Sequence, residues 1–201
     1  KHMECSPHEH ADIFWATAGG MGMTGIIEEL SLKLMPIESA SLQTHTLRVR
    51  NIDAMLACFE QSRSHADYMV GWIDHMASRD DIGRGLFESA SHISTMEGGI
   101  ACGHYRPCKP RFTIPLHAPS LLLNRYSMAL YNRRRFSRFD DSHTNEHVGF
   151  DGFFHPLDSI RHWNRLYGKA GFFQYQCIFP EQEGIATTLR HLHSRNAGRR
   201  S

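Results

Sequence analysis

The sequence predicts an α+β fold, an antiparallel sheet flanked by helices and organised as a split βαβ unit. Residues 39–50 and 66–73 place alternate side chains on opposite faces with period 2, which indicates half-buried strands, and residues 84–91 are a candidate for the next strand. A helical pattern separates the first two of these segments. The order β-α-β-β is three-quarters of a ferredoxin-like βαββαβ unit.

The helix between the first two predicted strands is expected to begin after Asn51, a residue type that favours the N-cap position. Apolar residues then recur at the i, i+3, i+4 and i+7 positions of one helix face: Ile52, Met55, Leu56 and Phe59. Residues 121–136 return to helical spacing and predict a second helix, which ends in the basic run 133–135. That run fits either a solvated helix end or a patch that binds phosphate groups.

Two stretches without periodicity, residues 94–120 and 137–149, predict loops, and we expect them to be the most mobile parts of the chain. Residues 172–179 alternate again and predict a further strand. A last helix is predicted from Pro180, with Ile185, Leu189 and Leu192 on it. Because no strand pattern follows, we expect the sheet to lack one strand and the fold to be incomplete at both ends.

The glycine segment reads Gly20-Met-Gly22-Met-Thr-Gly25, formally the pattern G-x-G-x-x-G. A dinucleotide-binding turn needs a strand before the glycines and a helix after them. Here residues 7–15 predict a helix, and residues 30–34, with leucine at every second position, predict a strand. The reversed order disfavours a Rossmann turn. The glycines fit either a tight turn with positive φ or a backbone that a flat or charged ligand approaches closely.

Composition restricts the function classes. The 201 residues carry a net charge of +1, which excludes a strong electrostatic attraction to nucleic acid. No apolar run has the length of a membrane span, and the first residues do not resemble a signal peptide. Five scattered cysteines fit reduced thiols in a cytoplasmic compartment. Cys102, His104 and Cys108 have ligand-like spacing, but a second pair is missing, so we predict no metal site.

Six blocks in the sequence resemble one family of flavoproteins. The family is the decaprenylphosphoryl-β-D-ribose 2′-oxidases, within the vanillyl-alcohol-oxidase superfamily of FAD-linked oxidases. The similar blocks keep the family's order and cover most of residues 8–194. They are ATAGGMGMTGII (16–27), YMVGWID (68–74), RYSMALYNRRRF (125–136), FFHPLD (153–158), WNRLYG (163–168) and GFFQYQ (171–176).

The resemblance implies a domain division. Residues 1–3 look like an expression scar, residues 4–38 would be the C-terminal tail of an FAD-binding domain, and residues 39–201 would be a truncated substrate (cap) domain. It also implies FAD as cofactor, and a reaction in which a sugar hydroxyl of a cell-wall precursor is oxidised by hydride transfer to the flavin. We therefore expect an internal fragment that binds no flavin and is inactive by itself.

The resemblance also implies site residues. Trp72 and Phe136 would be aromatic walls of the substrate cavity, and Gln174 and Gln176 would orient sugar hydroxyls. Val70 and Phe136 lack hydroxyl groups that the mycobacterial members have, so the accepted sugar or lipid would differ. No residue here matches a catalytic acid or base of the family. The cofactor-binding residues would be Gly19, Gly20, Gly22, Thr24, Gly25, Ile26 and Ile27.

The two glutamines also follow from the residues themselves. Gln174 and Gln176 are two apart, so a strand would place both amides on one face. Amides on an otherwise apolar strand belong to a polar network, line a ligand cavity or face solvent, and the sequence leaves these three options open. If they line the cavity, we expect them to share it with Trp72 and the cavity to open toward residues 20–27.

The expected partner is a small sugar or a polyprenyl-phosphate sugar, not a nucleic acid. A peripheral membrane contact and a partner reductase are further candidates, which fits a cytoplasmic protein at the inner membrane. The alternative from another class is a non-catalytic, ferredoxin-like module that binds a ligand or a protein without flavin.

Overall fold

In a computed structural model, the structure describes residues 2–77, 83–93, 109–119, 121–139, 144–174 and 176, without the side chains of residues 144–147. The chain divides into two compact units, Lys1–Pro36 and Ile37–Ser201. This division lies two residues before the boundary inferred from the sequence. The assignment of the units to an FAD-binding and a substrate domain stays a prediction.

The first unit contains one helix, α1 (Ala11–Thr17), followed by turns through the glycine segment. The predicted helix before the glycines is thereby confirmed. The predicted strand after them is wrong, because residues 25–37 form neither strand nor helix. Leu30, Leu32 and Leu34 are exposed. Alternation favours a strand only where a neighbouring strand accepts its backbone hydrogen bonds, and none of the described residues of this unit provides one.

The second unit is built from strands β1–β6 and helices α2–α4, with two short 3₁₀ turns at Pro156–Ser159 and Trp163–Tyr167. Their bounds, in chain order, are β1 Ser41–Val49, α2 Ile52–Ser62, β2 Tyr68–Ile73, β3 Gly85–His92, β4 Phe112–Thr113, α3 Arg125–Ser137, β5 Thr144–Gly149, α4 Phe150–Phe154 and β6 Ile160–Arg161.

The main sheet has the strand order β2-β3-β1-β5, and all its neighbours are antiparallel. Strand β3 lies between β1 and β2, so the predicted split βαβ unit is confirmed. Helix α3 and strand β5 follow in the order of a βαββαβ unit. The strand expected to be missing would follow the helix predicted from Pro180, which lies outside the described residues, so that expectation stays a prediction.

Strand β5 (Thr144–Gly149) lies in the segment 137–149 that was predicted to be a loop. Its sequence, TNEHVG, has no apolar alternation, so periodicity could not reveal it. Its backbone instead pairs with β1 from Ser41↔Gly149 to Thr46↔Thr144. Residues 109–119 also fall in a predicted loop, yet they include β4, which pairs in parallel with β6.

The hydrophobic core lies between α2 and one face of the sheet. Phe87 is fully buried there, with Val49 and Met55 beside it. Asn51 caps α2 as predicted, since its side chain accepts a hydrogen bond from the Ala54 backbone N–H at 2.8 Å. The partly buried residues around this cluster complete it: Leu47, Ala54, Cys58, Phe59, Met69 and Ile73.

The opposite sheet face carries the alternate residues of the same strands, among them Arg48, Tyr68, Trp72, Leu86 and Glu88. Helix α3 approaches this face and begins at Arg125. Its N-terminus is fixed by a capping box, in which the Asn124 side chain accepts from the N–H groups of Tyr126 and Ser127. The helix predicted at residues 121–136 is confirmed, and it begins four residues later than predicted.

The C-terminal prediction is partly testable. Residues 172–174 and 176 form no strand, so the predicted strand is wrong over its described part. Residues 94–108 and 140–143, with the Cys102, His104 and Cys108 cluster, lie outside the described residues, as does the helix predicted from Pro180. The predicted mobility of the two loops stays a prediction.

Candidate functional site

The glycine segment exposes its backbone to solvent. Gly19, Gly22 and Gly25 have φ angles of 83°, 76° and 153°, a region that side chains with a Cβ rarely adopt. Among the described residues, apart from each glycine's own chain neighbours, no atom lies within 4 Å of the position that a Cβ would take at any of the three. A flat or charged ligand could therefore approach this backbone without a steric obstacle.

Two contacts hold the glycine segment against the end of α1. The hydroxyl groups of Thr17 and Thr24 are 2.9 Å apart and share a hydrogen bond. At Gly20 a Cβ would lie 2.2 Å from the Ala16 carbonyl oxygen, so glycine is required by the close approach of two backbones. The Thr24 hydroxyl is thus hydrogen-bonded to Thr17 of α1, and a bound ligand would have to share that hydroxyl with Thr17.

Apolar side chains follow the glycines without cover from the described residues. Ile26 is 92% exposed, and Ile27, Leu32 and Leu34 are exposed as well. Exposed apolar residues that are close together can mark an interaction site. The seven residues predicted to bind the cofactor all belong to residues 19–27 of the first unit.

Trp72 lies on β2, on the sheet face opposite α2. The Arg135 guanidinium, from the last turn of α3, stands 4.9 Å from the centroid of its ring. This is a cation–π contact, which stabilises by about 0.5–1 kcal/mol where it is solvent-exposed. Val70, the residue that lacks the family's hydroxyl, is exposed on the same strand face.

Phe136, the next residue of α3, contacts two more arginines. The guanidinium carbons of Arg48 and Arg84 lie 5.2 Å and 5.1 Å from the centroid of its ring. Trp72 and Phe136 were predicted to line one cavity. The Trp72 ring of the sheet contacts Arg135 of α3, and the Phe136 ring of α3 contacts Arg48 of β1 and Arg84. Both sets of contacts connect the sheet with α3.

A buried carboxylate fixes this arrangement. Asp74, at the end of β2, is fully buried, and its Oδ2 accepts two hydrogen bonds from the Arg84 guanidinium, at 2.9 Å and 3.0 Å. Its Oδ1 accepts from the Met76 N–H at 2.8 Å and from the Asn132 side-chain amide at 2.7 Å. Four donors satisfy the carboxylate, so its burial is compensated.

The buried network of Asp74, Arg84 and Asn132 was not predicted from the sequence. The position of Asn132 within its helix is the one sequence feature that indicates part of it. Asn132 is four residues after Met128 and four before Phe136, so a helix places the three on one face. A polar amide within the inward stripe of a helix requires a buried partner.

A second polar pair lies on the same sheet face. The His92 Nδ1 is 2.7 Å from the Ser39 carbonyl oxygen, an acceptor, so Nδ1 carries the proton in the neutral ring. Nε2 is then the acceptor for the Tyr68 hydroxyl, at 3.1 Å. The Tyr68 ring also packs edge-on against Phe154, with the centroids 4.8 Å apart. This pair was not predicted from the sequence.

Gln174 and Gln176 are exposed. Among the described residues, no hydrogen bond or ring contact joins either amide to Trp72. The assignment of the glutamines to a substrate site stays a prediction. Neighbouring Phe172 contacts Trp163 and Tyr167, with centroid distances of 5.5 Å and 4.4 Å.

Within the described residues, no group of three or more His, Cys, Asp or Glu side chains is arranged to hold a metal ion. Over the same ranges, no helix combines the length and the apolar character that crossing a membrane requires. Of the described cysteines, Cys58 packs against the core, and its burial raises the pKa of the thiol above the ordinary value of 9.0.

Comparison with known proteins gives two informative similarities. The chain is 29% identical over 177 residues to a protein of Mycolicibacterium smegmatis named decaprenylphosphoryl-beta-D-ribose oxidase, a match to 86% of this chain. It is 30% identical over 80 residues, 40% of this chain, to a Streptomyces coelicolor protein named uncharacterized protein in mprA 5'region. The chain spans 38% and 22% of the lengths of these relatives. No protein-family model matches. The first similarity indicates a distant relation to an oxidase.

Proposed function

We propose that this chain is part of an FAD-dependent oxidoreductase that oxidises a hydroxyl group of a sugar, in the manner of a decaprenylphosphoryl-ribose oxidase. The observation that carries the proposal is the similarity to an oxidase of that name over 86% of the chain. Because the chain spans 38% of that relative's length, the activity is proposed for the complete protein. The 201 residues alone are expected to be inactive.

The glycine segment supports the cofactor part of the proposal. The open space beside Gly19, Gly22 and Gly25 fits a backbone that lies against a flat ring or a pyrophosphate. The exposed Ile26 and Ile27 offer apolar contact area next to it. Bound FAD would accept the hydride that leaves the sugar carbon. These residues would supply one wall of its site.

On the substrate side, Trp72 and Phe136 would contribute apolar ring surface, and Gln174 and Gln176 would donate to and accept from sugar hydroxyls. The exposure of both glutamines leaves their amides available for such bonds. No described residue is placed as a proton acceptor for the sugar hydroxyl. We therefore assign the catalytic base to none of the described residues.

Helix α3 supports a peripheral membrane contact as part of the same proposal. Tyr126 and Leu130 are 73% and 70% exposed, and Arg133 follows them on the same helix face. Exposed apolar residues beside a cation fit the interface of a membrane with anionic lipids. A polyprenyl-phosphate sugar would be reached at that surface, and a partner reductase or another acceptor would reoxidise the flavin.

One observation favours a second candidate function. The main sheet has all four strands of the βαββαβ order within residues 41–149, so the second unit resembles a binding module of its own. Such a module would bind a ligand or a protein without flavin. A protein that acts only through such a module would not need three open backbone positions in the glycine segment of the first unit, and this feature separates the two candidates.

The test is to express the complete coding sequence that contains this chain. A yellow protein with the visible absorbance of oxidised flavin, bleached anaerobically by a polyprenylphosphoryl ribose, is the expected result. A colourless protein that still binds a ligand would favour the second candidate.

A matched pair of variants then tests the glutamines. Gln176→Leu should slow flavin reduction without lowering the melting temperature, and Gln43→Leu, at another exposed glutamine of the second unit, should change neither. A lower melting temperature with unchanged flavin reduction would remove Gln176 from the site.

A further inference from the structure

We propose that Arg135, stacked on Trp72, binds the phosphate group of a phosphorylated sugar. This inference rests on the proposed function and deepens it, since it assigns the charged part of the substrate to a residue that the family resemblance did not single out. The sequence left the basic run 133–135 open between a solvated helix end and a phosphate patch. The structure distinguishes its members, because Arg135 has its guanidinium over the ring of a predicted substrate residue.

The stacking geometry leaves the hydrogen-bonding groups of Arg135 usable. A guanidinium above an aromatic face is attracted through its flat surface, whereas its N–H donors point outward in its plane. Arg135 is exposed, so these donors reach solvent. They match the oxygens of a phosphate in a two-pronged arrangement. The indole at the same time holds the side chain in place, which lowers the entropy lost when an anion binds.

The neighbouring charges favour an anion here. The guanidinium groups of three arginines, Arg48, Arg84 and Arg135, lie within 5.2 Å of the centroids of the Phe136 and Trp72 rings. Asp74 holds Arg84 through two hydrogen bonds, so that pair is internally compensated.

One effect opposes the proposal, and its size can be compared. Arg135 lies in the last turn of α3, where the helix dipole carries about −0.5 of an elementary charge. That partial charge is half of the guanidinium charge and of opposite sign. It therefore weakens the attraction for an anion without cancelling it, and it helps to hold the arginine at the helix end.

The arrangement also defines the kind of ligand. The guanidinium occupies the face of the indole that a sugar ring would otherwise cover. A phosphorylated sugar can place its phosphate against the in-plane N–H donors of Arg135 while the guanidinium stays stacked on the indole. An uncharged sugar offers the guanidinium no charge-assisted hydrogen bond, so it should bind more weakly.

The experiment measures binding of ribose 5-phosphate, inorganic phosphate and ribose to the chain by tryptophan fluorescence. Trp72→Phe identifies the part of the signal that comes from Trp72 rather than from Trp15 or Trp163. Arg135→Gln should weaken binding of ribose 5-phosphate by about tenfold or more, the effect of losing one charge-assisted contact. Arg135→Lys should fall between wild type and Arg135→Gln, since lysine keeps the charge but not the fork.

The control is Arg134→Gln, which removes the same charge from the adjacent exposed position and should change the affinity less than about twofold. Equal losses in the two variants, or no Arg135-dependent binding of ribose 5-phosphate, would overturn the proposal. So would a loss that appears only with phosphatidylglycerol vesicles, because the phosphate would then be that of a lipid headgroup. None of these results depends on flavin, so they are separable from a failure of the proposed oxidase function.

Discussion

Replacing Asn132 with alanine should destabilise the second unit through the buried carboxylate of Asp74. The Asn132 amide donates to Asp74 Oδ1 at 2.7 Å, and Asn132 is only 8% exposed, so water cannot readily replace it. In the variant, that oxygen keeps the hydrogen bond from the Met76 N–H. A hydrogen bond to a charged group contributes about 1.5–3 kcal/mol, and we expect a loss of about 2 kcal/mol.

A change at Asp74 itself should cost more. Asp74→Ala removes the carboxylate that holds the Arg84 side chain, which is 17% exposed. A charge buried without its partner costs about 3–5 kcal/mol. The hydrogen bond also sets the position of α3, so the loss should move the Arg135 guanidinium from the Trp72 ring and change the fluorescence of that tryptophan.

Equilibrium urea unfolding, with the slope m compared among variants, is the assay. Arg133→Ala, at the exposed position next to Asn132, is the control and should stay within about 0.5 kcal/mol of wild type. In the double-mutant cycle of Asp74→Ala and Asn132→Ala the effects should be coupled by about 1 kcal/mol or more. A free energy of unfolding unchanged by Asn132→Ala, or strictly additive effects, would refute the role of this bond.

Three further predictions concern the sheet and the core. In Gly85→Ala the new Cβ would lie 2.0 Å from the Trp72 carbonyl oxygen, so the melting temperature should fall by the equivalent of about 1–3 kcal/mol, whereas Gly149→Ala, with open space, should be near neutral. Tyr68→Phe should lower the free energy of unfolding in urea by about 1 kcal/mol, because the hydrogen bond to the His92 imidazole is lost. An unchanged free energy of unfolding would contradict that bond. Because burial raises the pKa of the Cys58 thiol, this group favours folding at all pH values below 9.0 and ceases to do so as the pH rises through its higher folded value. Alkylation of Cys58 should accordingly need a higher pH in the folded than in the unfolded chain, and equal pH profiles would contradict this.

The sheet could be predicted where one strand face is apolar. Strand β1 buries alternate residues from Leu42 to Thr46, and helix α2 buries Ile52 and Met55 at helical spacing, so both have a periodic pattern in the sequence. Strand β3 buries three consecutive residues, Gly85, Leu86 and Phe87, because both of its faces are covered there. Strand β5 could not be predicted in this way, since its sequence has no periodic pattern and its stability comes from backbone pairing with β1. The leucines at residues 30–34 show the converse, an alternating pattern without a partner strand among the described residues.

The candidate site was predictable to a different extent for each contact type. The positive φ angles of Gly19, Gly22 and Gly25 follow from the residue type, because glycine tolerates them. The network of Asp74 and Asn132 joins positions 58 residues apart in sequence, and no local pattern encodes a pairing at that distance. The same holds for Arg135 and Trp72. Their proximity depends on how α3 lies on the sheet, which the packing of the whole unit determines.

The visible absorbance of the complete protein, recorded before and after anaerobic addition of a polyprenylphosphoryl ribose, tests whether the protein is a flavin-dependent sugar oxidase. We expect one flavin per protein chain, bleached by this substrate through hydride transfer from the sugar carbon. A complete protein that carries no flavin, or whose bound flavin is not reduced by any phosphorylated sugar or its lipid-linked form, would contradict it.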